Sequence, residues 1–100
     1  MAAKNYILIT ELCTHYKIDI EFVDDLHEYG LLHLETIETQ RYLPMERIAD
    51  LERIIRLRND LKLNYEGIDV VVNLLERLES LEIELSSLRN KLNQYKIHQN

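Results

Sequence analysis

The side chains that could carry chemistry in this chain are Cys13, four histidines and a run of acids between residues 19 and 28. Cys13 and His15 are two positions apart, a spacing that points side chains in different directions on a helix. The sequence also has no second closely spaced pair of ligands to complete a zinc site. The adjacent carboxylates Asp24 and Asp25 diverge around a helix in the same way, so they do not share a proton. The sequence therefore predicts no metal site and no pair of catalytic acids.

Glycine is too scarce for a phosphate-binding loop. Gly30 and Gly67 are the only two glycines in 100 residues, and loops that cradle phosphate need several close together. A chain this short also leaves little room for a pocket of ligand size. We expect neither an enzyme nor a bound cofactor.

The negative charge is concentrated in the first half of the chain. Residues 1–45 contain eight acids and three bases, a net charge of -5, whereas residues 46–100 contain ten acids and nine bases, a net charge of -1. Because DNA binding depends on Lys and Arg that neutralise phosphates, nucleic acid is a poor match for the first half. The charge favours a protein partner with a basic surface.

Nothing in the sequence predicts a membrane segment. The apolar runs at residues 6–9 and 70–72 are far shorter than the ~20 residues that span a bilayer. The first residues also lack the basic and then apolar pattern of a secretion signal. We expect a soluble, cytoplasmic protein.

The first third of the chain reads as a helix-turn-helix motif. Residues 6–9 suggest a short strand or extended lead-in, and Thr10 offers a hydroxyl cap for a helix to about Tyr16. Asp19 is a good N-cap for a second helix from Ile20 to Tyr29, and Gly30 suits the position just past its end. Two short helices joined by a tight turn are typical of this motif.

The second helix is predicted to be amphipathic. Ile20, Val23 and Leu26 lie at a spacing that places them on one buried face. The acids would then lie largely on the exposed surface, which carries no Lys or Arg; they are Glu21, Asp24, Asp25 and Glu28.

Residues 31–42 suggest two short strands around a polar turn, a small β-wing. Pro44 marks the start of the next helix, which runs to about residue 62, and Asn64 can cap the last helix. The apolar stripe of the former comprises Ile48, Leu51, Ile54, Ile55, Leu57 and Leu61.

From Val71 onward the apolar residues alternate three and four apart, which is a heptad seam. The seam would form the dimer interface of a homodimer, and its leucines are Leu74, Leu78, Leu81, Leu85, Leu88 and Leu92. The flanking charges leave parallel and antiparallel dimers open, and packing of this helix against its own domain is a further alternative.

The order of these elements resembles the winged helix-turn-helix layout of MerR-type proteins. Within that superfamily, the acidic second helix, the run Arg56-Leu57-Arg58 and the step Tyr65-Glu66-Gly67-Ile68 are most similar to the chaperone-modulator CbpM family. Where MerR-type regulators usually have an Arg-Tyr-Tyr-like stretch, this chain has Phe22-Val23-Asp24-Asp25. The resemblance implies a mainly α fold, with a winged helix-turn-helix domain at residues 1–70 and a coiled-coil dimerisation helix at residues 71–100.

The resemblance also implies a function. Members of the CbpM family bind the J-domain of a DnaJ-like co-chaperone of the CbpA type, and they inhibit its co-chaperone activity and its DNA binding. A J-domain presents a basic helix, which an acidic helix face could occupy. The expected partner-binding residues are Asp19, Glu21, Asp24, Asp25 and Glu28, with Tyr29 as an apolar anchor.

Two other functions stay open from the residues alone. A MerR-like DNA-binding transcriptional regulator would need a basic surface beside the wing, for which the candidates are Arg41, Arg47, Arg53, Arg56 and Arg58. A coiled-coil scaffold, whose first half binds something else, is the other.

Overall fold

The computed structural model describes residues 5–99, with side chains as far as residue 97, so the side chain of His98 lies outside it. It contains three strands and four α-helices in the order β1 Tyr6–Leu8, α1 Ile9–Tyr16, α2 Ile20–Glu28, β2 Glu35–Ile37, β3 Gln40–Pro44, α3 Ile48–Leu61 and α4 Tyr65–Gln99. The chain divides into two compact units, of which the first ends at Asp69 and the second begins at Val70. The mainly α fold with a small sheet and a long C-terminal helix is as predicted.

Helices α1 and α2 form the predicted helix-turn-helix. Helix α1 ends at Tyr16 and is capped by Lys17, a left-handed residue whose N–H donates to the carbonyl of Cys13. The predicted cap at Thr10 is wrong, because the helix begins at Ile9 and its N-cap is Leu8, two residues before Thr10. Strand β1 runs directly into α1, which leaves no turn in which a capping side chain could fold back. Asp19 is the N-cap of α2, as predicted, but its side chain makes no capping hydrogen bond.

The buried face of α2 is rotated from the predicted one. Phe22, Val23 and Leu26 are buried, whereas Ile20 is 44% exposed. The spacing of Ile20 and Val23 is compatible with one helical face, but the larger ring of Phe22 occupies the core in place of Ile20. Ile18, in the turn before the helix, is buried.

The chain leaves α2 through Gly30 and forms the predicted wing. Gly30 has a φ of +74°, a conformation that glycine adopts at no steric cost. Strands β2 and β3 are antiparallel, with Glu35 opposite Tyr42 and Ile37 opposite Gln40. β3 is the central strand, because it also pairs with β1.

The connection from the sheet to α3 differs from the prediction. Pro44 ends β3 opposite Tyr6 and does not begin a helix. A 3₁₀ turn, Met45–Arg47, precedes α3, and the N–H of Met45 bonds the carbonyl of Asn5. This bond joins the two segments one residue beyond the end of β3.

Helix α3 supplies part of the core. Leu51 and Ile54 are buried, but Leu61, the last residue of the predicted stripe, is 61% exposed. The core of the first unit also includes Ile9, Leu12, Cys13, Leu32, Leu34, Leu43 and Ile68.

Helix α4 starts inside the first unit. Asn64 caps it, as predicted: its side-chain oxygen accepts a 2.8 Å bond from the N–H of Gly67. In the second unit every side chain from residue 76 to residue 97 is exposed. No helix of the described residues is both long enough and apolar enough to cross a membrane.

Candidate partner-binding surface

The six residues predicted to bind a partner lie on α2 and at its two ends, but they are not equally accessible. Asp19, Glu21 and Glu28 are exposed, and Tyr29 is 47% exposed. Asp24 and Asp25 are half-buried, and both form hydrogen bonds within the chain. The expectation that all four helical acids lie largely on the surface therefore holds for Glu21 and Glu28 alone.

Asp24 is paired with the wing. Its carboxylate accepts a hydrogen bond from the guanidinium of Arg41 on β3, and the two form an ion pair. Their side chains are 40% and 36% exposed, respectively, so water screens the pair and its contribution to stability is small. Its effect is to give α2 and the wing a fixed contact through opposite charges.

Asp25 is bonded to the first turn of α4. The hydroxyl of Tyr65 donates a 2.8 Å bond to its carboxylate. Burial, and then this bond to Asp25, raise the pKa of Tyr65 to about 12. The Tyr65 hydroxyl therefore stays protonated and remains a donor at neutral pH.

Three aromatic side chains stack beside these acids, and we call Phe22, Tyr29 and Tyr65 the aromatic stack. The ring of Tyr65 lies 5.0 Å from that of Tyr29 and 6.1 Å from that of Phe22, with interplanar angles of 27° and 25°. The guanidinium of Arg58 lies over Phe22, 3.7 Å from the ring centroid. Stacked rings and a cation over a ring face are both attractive.

Sequence reasoning missed most of this stack. Tyr29 was predicted as an apolar anchor, but Phe22, Arg58 and Tyr65 were noted only as parts of short motifs. Tyr65 is 36 positions from Tyr29 in the sequence, so no helical spacing connects them. The sequence did place Tyr29 at the end of α2 and Tyr65 just after Asn64, the predicted cap of the last helix. These two positions do not indicate that the rings are in contact.

The basic surface that a DNA-binding regulator would need is largely used within the chain. Arg41 is paired with Asp24, Arg47 with Asp50, and Arg58 lies over Phe22. These are three of the five arginines considered for such a surface. The helix in the recognition position, α2, has no Lys or Arg.

The leucines of the heptad seam are all exposed in the single chain. The six residues from Leu74 to Leu92 have between 48% and 59% of their surface accessible. Isolated exposed leucines are common, but a continuous row is typical of a surface that a partner covers.

Cys13 and the four histidines are the side chains that the sequence offered as potential zinc ligands. Within residues 5–97 no group of three or more His, Cys, Asp or Glu side chains could hold a metal ion. Cys13 is buried, and burial raises the pKa of its thiol. His27 contacts the carbonyl of Leu32 through Nδ1 at 3.1 Å, which is a local contact at the end of α2.

Comparison with known proteins connects both units to one family. The family model described as MerR HTH family regulatory protein matches residues 7–90. The chaperone modulatory protein CbpM of Escherichia coli is 29% identical over 91 residues, which is 90% of this chain and 90% of the relative. The chaperone modulatory protein CbpM of Shigella boydii matches with the same identity and coverage.

Proposed function

The chain belongs to the MerR HTH family of regulatory proteins, and from this premise we propose that it is a chaperone modulator. It binds the J-domain of a DnaJ-like co-chaperone and inhibits both the co-chaperone activity and the DNA binding of that partner. It acts in the cytoplasm as a binding protein and not as an enzyme. The proposal is supported by the similarity to chaperone modulatory proteins over 90% of the chain.

The observation that carries the proposal is the chemistry of α2. In a helix-turn-helix that reads DNA, the second helix enters the major groove, where its neighbours are phosphates. Here that helix has four acids and no Lys or Arg. A surface of this charge repels a duplex and attracts a basic protein surface, which makes association fast and selective.

The exposed carboxylates and the paired carboxylates have different roles in this proposal. Asp19, Glu21 and Glu28 are exposed and available to a basic helix of the partner. Asp24 and Asp25 are bonded to Arg41 and Tyr65 within the chain, so they are less available to a partner. The partner's basic helix, once covered, is no longer available to Hsp70, and this occlusion is the proposed mechanism of inhibition.

We also propose that the protein acts as a homodimer through the heptad seam of α4. The six exposed leucines lie at heptad positions, and burying such a row in a coiled coil removes it from water. The direction of the two helices is not part of this proposal.

Calorimetric titration of the full-length protein with the DnaJ-like co-chaperone of the same organism tests the function. We expect saturable binding that weakens as salt increases, because exposed charges contribute to it. The double variant Glu21→Lys with Glu28→Lys should lower the affinity at least tenfold. Reversing Asp24 or Asp25 is a poorer test, since it would also break contacts inside the protein.

The matched control is the double variant Glu46→Lys with Glu79→Lys, which changes the net charge by the same amount at exposed positions outside α2. It should bind almost as well as the unaltered protein. Absence of co-chaperone binding, together with salt-dependent retention on DNA, would contradict the proposal and favour a MerR-like transcriptional regulator.

A further inference from the structure

Tyr29 presents an aromatic ring to solvent at the end of the acidic helix. One face of its ring lies against Tyr65, with centroids 5.0 Å apart and planes inclined by 27°. Nevertheless 47% of the residue is accessible. Since the stacking covers only one face, the other face is open to a partner.

The ring is held in a defined position. Tyr65, on which it packs, is fixed by its hydrogen bond to Asp25 and by stacking on buried Phe22. A side chain that is already ordered loses little conformational entropy when a ligand binds. Tyr29 is therefore a preformed platform at the surface.

The surroundings of the platform favour a cation. Glu28 is the preceding residue, Glu21 is exposed on the same helix, and α2 has no Lys or Arg. The face of an aromatic ring carries partial negative charge and attracts a cation directly. The stack already binds one guanidinium, since Arg58 lies 3.7 Å from the centroid of Phe22.

We propose that the open face of Tyr29 is a subsite for an arginine side chain on a basic helix of the partner protein. The guanidinium stacks on the ring while the carboxylates of Glu21 and Glu28 supply the negative field around it. Arginine suits the site better than lysine because its planar group stacks on aromatic faces and is less strongly hydrated. This inference deepens the proposed function and rests on α2 being the docking surface.

The test uses the full-length protein and two helical alanine-based peptides, one with arginines and one with lysines at the same positions. Peptide is titrated at low salt while the ring protons of Tyr29 and Tyr65 are followed by NMR. We expect the arginine peptide to shift the Tyr29 signals and to bind more tightly than the lysine peptide. Tyr29→Leu should lower the affinity for the arginine peptide by about 2- to 30-fold, the range expected for a cation on an aromatic ring.

Tyr29→Phe is the matched variant, because it keeps the ring and removes only the hydroxyl. It should bind the arginine peptide within about twofold of the unaltered protein. Circular dichroism of Tyr29→Leu checks that α2 is retained. Equal affinity for the two peptides, no shift of the Tyr29 ring, or full binding by Tyr29→Leu would overturn the subsite.

The same variants in co-chaperone titrations separate this inference from the proposed function. If the unaltered protein and Tyr29→Leu bind the co-chaperone equally well, the subsite is wrong and the modulator function stands. If the co-chaperone does not bind but the arginine peptide binds through Tyr29, the subsite stands and the partner is a different basic protein.

Discussion

The two compact units of the chain treat their apolar side chains in opposite ways. In the first unit, Leu12, Leu26, Leu43 and Leu51 have 0–1% of their surface exposed. In the second unit, every leucine of the heptad seam from Leu74 to Leu92 is about half exposed. The first unit is stabilised by its own core, whereas the apolar stripe of the second is accessible to water in the single chain.

This contrast also separates two kinds of contact. The surface that we propose for the first unit consists of charge and one aromatic ring, which favours selective and salt-dependent binding. The second offers a continuous apolar row, which favours a stable assembly. A change in one unit should therefore affect one kind of contact and leave the other intact.

The largest expected effect is on the core of the first unit. Leu26 is fully buried, so Leu26→Ala should lower the free energy of unfolding by about 2–5 kcal/mol. Urea denaturation at two protein concentrations measures the free energy of unfolding, and the decrease caused by Leu26→Ala should be the same at both concentrations. A loss below about 1 kcal/mol would mean that the first unit is not the self-sufficient core described above.

The next effect is on assembly by the second unit. Leu81→Asp places a charge in the seam and should convert the proposed homodimer to a monomer, as measured by light scattering after gel filtration, while the first unit stays folded. Ile83→Asp is the matched control, because Ile83 is 65% exposed but lies off the seam. Dissociation by both variants, or by neither, would contradict the seam as the interface.

A smaller effect is expected where α4 begins. Asn64 accepts the N–H of Gly67 in the first turn, and removing such a cap costs about 1 kcal/mol. Asn64→Ala should lower the free energy of unfolding by that amount, measured by urea denaturation, without changing the oligomeric state. Asn64→Asp keeps a capping oxygen and should be about as stable as the unaltered protein. A change of oligomeric state in Asn64→Ala would contradict the expectation that a change in one unit leaves the contacts of the other intact.

The elements of the first unit were largely predictable because they depend on local signals. Gly30 marked the end of α2, Asn64 the start of α4, and residues 31–42 suggested two strands around a polar turn. These are backbone requirements that one or two neighbouring residues decide. The cap at Thr10 and the helix start at Pro44 failed because β1 runs up to Leu8 and β3 includes Pro44. The pairing of these two strands joins residues 34 to 38 positions apart, which leaves no local signal.

The candidate site was predictable in its location but not in its detail. The acids of α2 could be read from the sequence, but nothing in it shows that Arg41 and Tyr65 pair with Asp24 and Asp25. Those contacts join residues 17 and 40 positions apart. They decide which carboxylates are left for a partner, so the structure was needed to choose Glu21 and Glu28 for charge reversal.

The smallest expected effect concerns Tyr65, which lies in the long helix but belongs to the first unit. Tyr65→Phe removes the bond to Asp25 and should cost about 0.5–1 kcal/mol at neutral pH. Folding raises the pKa of Tyr65 from 10.0 to about 12, so the folded state binds this proton more tightly than the unfolded state. Its contribution to stability is therefore complete below pH 10 and is lost as the pH rises through about 12. Denaturant unfolding of the two proteins across this window should show the unaltered protein losing stability more steeply, because the other tyrosines titrate in both. Parallel curves would mean that the Tyr65–Asp25 bond does not persist in solution, and the first turn of α4 would then be held by packing alone.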